Sequence, residues 1–170
     1  MQTLLKFLVC GILSGFLFPP FFIFPLGFIV FPFFFILINE TKLRDKNKFF
    51  HFLCGLFYGL GLYFISLIWI KEPFLIYKET SGFFMLSYLL ILYCSIYYGI
   101  ATLFLSFIQN YFAKLLLIPV LFVFSEILLE IVGYGFPWVT FSLVYSGNIF
   151  SINFIYYLGT YGLSYFSIIV

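Results

Sequence analysis

The sequence predicts an all-α membrane protein, a polytopic bundle of about six transmembrane helices, and three observations carry that prediction. Hydrophobic residues make up 65% of the 170 residues and charged residues only 8%, whereas soluble chains run at roughly 25% charged. The uncharged blocks are long: 33 residues between Lys6 and Glu40, 34 between Glu79 and Lys114, and the last 40 from Ile131 to Val170. A helix needs roughly 20 apolar residues to cross the hydrocarbon core, and it satisfies its own backbone groups where no water can. The alternation expected of a membrane β-barrel is absent. The 29 phenylalanines carry no functional reading, because an AT-rich genome produces the same excess.

The elements follow in order. Pro19-Pro20 interrupts the first block by removing two backbone donors and restricting the residue before them. Leu4–Phe18 is therefore the first expected span and Phe21–Ile38 the second, joined by a tight turn, with Pro25 and Pro32 expected to kink the second. A polar stretch, Asn39–Lys48, precedes a third span over Phe49–Ile70. After a mixed-charge loop at Lys71–Ser81, Gly82–Ile108 forms a fourth span, long enough to tilt or protrude. Gln109–Lys114 turns the chain into a fifth span, Leu115–Val132. Gly133 to about Ser151 is expected to be a loop or re-entrant segment. The remainder begins a sixth span whose bare ending, Ile168-Ile169-Val170, suggests a segment cut short.

Charge tests this layout. Alternating sides gathers Lys6, Lys42, Arg44, Lys46, Lys48 and Lys114 on one side and leaves Lys71 and Lys78 on the other. Basic residues concentrate in cytoplasmic loops, so the N-terminus is expected in the cytoplasm and Gly133–Ser151 outside. The net charge of +2 is explained by these inner loops and implies no nucleic-acid partner. No soluble domain, linker or nucleotide-binding loop is visible. Gly11-xxx-Gly15 and Gly55-xxx-Gly59 fit close helix packing, within the bundle rather than at a dimer interface.

Cys10, Cys54 and Cys94 lie in apolar stretches without CxxC spacing or clustered histidine, so neither a metal site nor a disulfide framework is expected. Nor is a cofactor implied. Cys10 follows Lys6 and an apolar run, as in a lipoprotein signal. Val9 is bulkier than such cleavage sites accept, however, and the apolar stretch continues past Cys10.

The candidate functional residues are few. Glu126 sits in the middle of the fifth apolar stretch, where a carboxylate costs on the order of 3 kcal/mol and must face the bundle or a cavity. Glu130 lies one turn later on the same face. The pair can serve acid–base work or bind a cationic group; equally, Glu126 can be a structural carboxyl and Glu130 an interfacial one. In Gly133-Tyr134-Gly135-Phe136-Pro137-Trp138 two glycines and a proline break the helix. Trp138 then lies near headgroup depth, as does Trp69 at the outer end of the third span, and both also read as aromatic-belt anchors. No nucleophile–base pair assembles, since the sole histidine, His51, is expected at the inner interface.

Five words occur in one order: Phe18-Pro19-Pro20 with Pro25-Leu26; Gly59-Leu60-Gly61 leading to Trp69; Glu126; Gly135-Phe136-Pro137-Trp138; and Tyr161-Gly162-Leu163-Ser164-Tyr165. This series resembles the N-terminal membrane half of bacterial apolipoprotein N-acyltransferase over practically the whole chain. The resemblance implies a helical bundle in the bacterial inner membrane, with a nitrilase-like α/β domain on the periplasmic side. It implies transfer of an acyl chain from a phospholipid donor to the N-terminal cysteine amine of a diacylated lipoprotein, through a thioester on a Glu–Lys–Cys triad. That triad belongs to the nitrilase-like domain, and Cys10, Cys54 and Cys94 match no part of it. The chain is therefore expected to be a fragment, a truncated product or half of a split enzyme, inactive alone, with a separate or downstream nitrilase-like partner.

By the same resemblance Glu126, Gly135, Phe136, Pro137, Trp138 and Trp69 are the candidate substrate-binding residues, shaping a lipid-side entrance. Leu129 stands where the family commonly has Arg, and Glu130 where Gly is common. This puts in question the salt bridge or headgroup contact usual there. The rival reading is a non-enzymatic membrane protein, a small transporter subunit or a scaffold, although no pair of broken helices in repeated halves is visible.

Overall fold

The computed structural model describes residues 1–40, 43, 47–133, 138–146 and 153–169. Seven helices appear among them: α1 (Gln2–Gly15), α2 (Gly27–Asn39), α3 (Lys48–Leu67), the short α4 (Glu72–Ile76), α5 (Met85–Leu105), α6 (Tyr111–Val132) and α7 (Phe154–Ile169). Single 3₁₀ turns at Phe24–Leu26, Ile68–Lys71, Ser81–Phe84 and Phe141–Tyr145 connect or extend them. The architecture is the all-α membrane bundle that the sequence predicts.

Among the described residues three helical stretches are long and apolar enough to cross a membrane: Lys48–Ile76, Ser81–Leu105 and Tyr111–Val132. Their outer faces carry the side chains a soluble protein would bury. Phe49, Leu89, Leu116 and Ile131 are all more than half exposed, and lipid is the solvent that accepts such a surface.

The expected spans and the observed helices differ at their ends for local reasons. α1 stops at Gly15 rather than Phe18, and Phe16–Phe21 forms a succession of turn hydrogen bonds around Pro19-Pro20. Pro25 does not kink α2; it occupies the first turn of the Phe24–Leu26 3₁₀ helix, where its missing N–H costs nothing. Pro32 does lie inside α2. The expected loop at Lys71–Ser81 is largely helical, because Pro73 suits the start of α4 as Pro25 suits its own turn. Asn47 and Asn110 begin α3 and α6 by accepting the backbone N–H groups of Phe50 and Ala113, at 2.9 and 3.1 Å.

α3 is the axis of the bundle, packed by α1 on one face and α5 on another. Glycine permits both approaches. A Cβ at Gly11 would fall on the backbone carbonyl of Tyr58, and one at Gly55 on the carbonyl of Tyr98 and the hydroxyl of Thr102. Both Gly-xxx-Gly pairs thus serve contacts within the chain. Gly55→Ala should destabilise the folded bundle by about 1–3 kcal/mol, since its neighbour is backbone and cannot rotate away. Reversible SDS unfolding measures this, and an unchanged midpoint would contradict the close α3–α5 approach.

Between these helices lies an aromatic core. Phe34 packs edge-on to Phe7, Tyr58 and Phe122, with ring centroids 5.6, 4.8 and 5.0 Å apart. Tyr98 meets Phe122 in the same manner at 5.0 Å. The hydroxyl of Tyr58 shares a 2.9 Å hydrogen bond with Ser14, a polar link holding α1 to α3 that lipid makes worth keeping.

One end of the bundle collects charge. Lys6 pairs with Glu40 at 2.6 Å, joining the start of α1 to the end of α2. Lys48 stands 3.9 Å over the Phe107 ring, and the Thr102 hydroxyl donates to the His51 carbonyl at 2.8 Å. His51 and Lys114, both buried, lie at this end too. Pro19-Pro20, Trp69 and Trp138 lie at the opposite one.

Candidate functional site

At that opposite end α3 gives way to the Ile68–Lys71 3₁₀ turn, which carries Trp69. The indole Nε1–H donates to the Ser66 carbonyl at 3.0 Å, which fixes the ring. Trp138 lies over it with centroids 5.7 Å apart and planes 9° from parallel, an offset-stacked pair. Each indole is about half exposed, at 49% and 52%. The stack borders a cavity of about 430 Å³ lined also by Phe18, Pro19, Pro20 and Leu67, within the roughly 300–1,000 Å³ typical of small-molecule sites. The lining is nearly all apolar. Ser66, its main polar side chain, already donates to the Leu62 carbonyl at 2.8 Å. Such a cavity can receive a hydrocarbon chain, and the indole edges can meet a headgroup; among the described residues no ionisable side chain lines it.

The two tryptophans chosen from the sequence are therefore brought together, although 69 residues separate them. Gly135, Phe136 and Pro137, between α6 and Trp138, lie outside the described residues. Glu126 does not touch the indole stack. It is 2% exposed, deep in α6, and its Oε1 accepts the backbone N–H of Phe141 at 2.7 Å. Among the described residues Oε2 has no hydrogen-bond partner, and the Ser164 side chain of α7 lies beside the carboxyl group. Ser164 Oγ in turn accepts the N–H of Ser142 at 2.9 Å.

The segment between Trp138 and Ser146, within the region expected as a loop or re-entrant segment, folds back into the bundle. Val139, Thr140, Phe141, Ser142 and Val144 are all buried. Phe141 is fully enclosed, with its ring 5.4 Å from Phe18, 5.5 Å from Phe31 and 5.9 Å from Phe122. Its polar neighbours pair locally, Thr140 Oγ1 with Ser142 Oγ at 2.8 Å. α7 then returns through a break at Gly159, whose φ of +67° and ψ of 172° suit glycine alone.

Sequence reasoning missed Phe141 and Ser164 as parts of this site. Phe141 is one of 29 phenylalanines and carries no distinguishing signal. Ser164 does stand inside the Tyr161–Tyr165 word, but nothing local shows that its hydroxyl meets a backbone N–H 22 residues away. Likewise Pro19-Pro20 reads as a turn, and only the fold reveals it as a cavity wall.

No curated protein matches the chain. Residues 10–170 match the family described as the apolipoprotein N-acyltransferase N-terminal domain, and this stretch contains every element of the site, from the Pro19-Pro20 wall to Ser164. The chain thus belongs to the apolipoprotein N-acyltransferase N-terminal domain family.

Proposed function

We propose that this chain is the multi-pass membrane part of an apolipoprotein N-acyltransferase in the bacterial inner membrane, and that its outer cavity receives a lipid acyl chain beneath a nitrilase-like domain. The observation that carries the reading is the Trp69–Trp138 stack bordering an apolar cavity, at the end of the bundle away from Lys6, Lys48 and Lys114. Basic residues favour the cytoplasmic side, so this cavity opens at the periplasmic face. By the family resemblance Gly135, Phe136 and Pro137 are proposed to contribute to that entrance, and Glu126 acts on it indirectly, through the Phe141 N–H that it accepts.

In this reading the thiolate of the nitrilase-like domain attacks the phospholipid ester. The carbon–oxygen bond breaks, lysophospholipid leaves and a thioester forms. The acceptor's α-amine then attacks the thioester, giving the amide and returning the thiol. The membrane part supplies position: it holds the donor and the diacylated acceptor where a reacting group can meet them. Its own cysteines are all buried, and none is placed to form the acyl-enzyme.

The test is acyl transfer from phospholipid to a diacylated lipopeptide in reconstituted vesicles. The 170 residues alone should give none. Fusion to a nitrilase-like domain of the family, or its addition in trans, should give measurable transfer. In that active form Trp138→Ala should lower the rate about tenfold, the loss of one aromatic contact of roughly 1.4 kcal/mol. Cys54→Ala and Cys94→Ala should leave it within a factor of about two. Transfer by the 170 residues alone would defeat the division of labour, and equal, small effects of all three substitutions would return Trp138 to interface anchoring.

A further inference from the structure

The 3₁₀ turn at Phe141–Tyr145 has a problem at its start. The first N–H groups of any helix lack partners within it, and Thr140, in the capping position, makes no side-chain cap; its hydroxyl is engaged with Ser142 Oγ. Phe141 and Ser142 are both buried, so water cannot serve them, and an unpaired backbone donor there is costly. Two other helices solve it. Glu126 of α6 takes the Phe141 N–H and Ser164 of α7 takes the Ser142 N–H, at 2.7 and 2.9 Å.

We propose that Glu126 and Ser164 are positioning residues: together they cap the re-entrant turn from α6 and α7, and by fixing Phe141 they set Trp138, three residues earlier, on Trp69. The consequence for lipid rests on the acyltransferase reading above, because the indole stack borders the proposed acyl-chain cavity. The cap itself does not depend on that reading. It gives a carboxyl in the middle of an apolar helix a role although it does not line the cavity.

Trp69 and Trp138 are the only tryptophans in the chain, so the stack can be read directly as an indole exciton couplet in circular dichroism, with Trp69→Phe defining its complete loss. In the full 170-residue chain in nanodiscs, Glu126→Gln should retain the couplet, because its amide oxygen still accepts the Phe141 N–H. Glu126→Ala should reduce it to the Trp69→Phe level, and Ser164→Ala should roughly halve it. Gly55→Ala, which loosens the bundle elsewhere, should leave it intact while lowering the unfolding midpoint; a merely structural role would link the two readouts. A full couplet in Glu126→Ala, or a loss in Glu126→Gln as complete as in Ala, overturns the proposal. Should Glu126→Ala not fold, Ser164→Ala decides against Glu126→Gln: an undiminished couplet in Ser164→Ala also overturns it. The couplet needs neither acyl donor nor acceptor, so failure of the acyltransferase reading would show in the transfer assay and leave this result standing.

Discussion

Phe141→Ala should lower the unfolding free energy by about 3 kcal/mol, the low end of the range for emptying a fully enclosed phenylalanine. The low end applies because a side chain released into lipid does not gain contact with water, so the loss is mainly of packing. That loss is large here. Phe141 touches rings from three separate parts of the chain, Phe18 before the Pro19-Pro20 turn, Phe31 of α2 and Phe122 of α6, and it is fully buried. Removing it leaves a hole where α2, α6 and the re-entrant turn meet. Reversible SDS unfolding gives the number, with Phe112→Ala as the control: Phe112 is 74% exposed and should change stability by less than about 0.5 kcal/mol. Equal effects of the two would show that the re-entrant segment is not packed into the bundle. The same substitution should weaken the indole couplet, since Trp138 loses the anchor that follows it.

A thiol-labelling experiment on intact cells should separate the two ends completely. A cysteine placed at Ser146, just after the re-entrant turn, should react with a membrane-impermeant reagent added outside, whereas one at Asn47 should not. The argument is electrostatic. Lys6, Lys48 and Lys114 lie at the end where Asn47 caps α3, and basic residues near helix ends are retained on the cytoplasmic side. Native Cys10, Cys54 and Cys94 are buried, which keeps background labelling low. Asn47→Cys forfeits an N-cap worth about 1 kcal/mol, too little to reverse an orientation set by several lysines. Labelling at Asn47 and not at Ser146 would invert the protein, and with it the placement of the Trp69–Trp138 cavity beneath a periplasmic domain.

The elements differ in how legible they were. The starts of α3 and α6 were legible to within a few residues. Hydropathy set them at Phe49 and Leu115, whereas the caps Asn47 and Asn110 start the helices at Lys48 and Tyr111, so most of the expected Gln109–Lys114 turn is helix. Pro25 misleads for a different reason. Its ring forbids a helix interior but favours a first turn, and which of these applies depends on where the chain emerges from the Pro19-Pro20 turn. Glu126 is conspicuous as a lone carboxylate in an apolar helix, and physics requires it to face inward. Its partner is a backbone N–H 15 residues on, and a backbone group has no signature in any sequence.

By itself, then, the sequence determined the class of protein, the order of helices, the glycine contacts and the concentration of lysines toward one side, because each follows from hydropathy, small-residue spacing or charge counted along the chain. The series of short words also indicated the family. Only the tertiary structure decided that Trp69 and Trp138 stack, that Pro19-Pro20 borders a cavity with them, and that Phe141 and Ser164 belong to the same site. Those contacts join residues tens of positions apart. Their geometry is set by how α3, α6 and the re-entrant turn pack, and burial without water makes the first backbone donors of that turn, at Phe141 and Ser142, find acceptors on other helices.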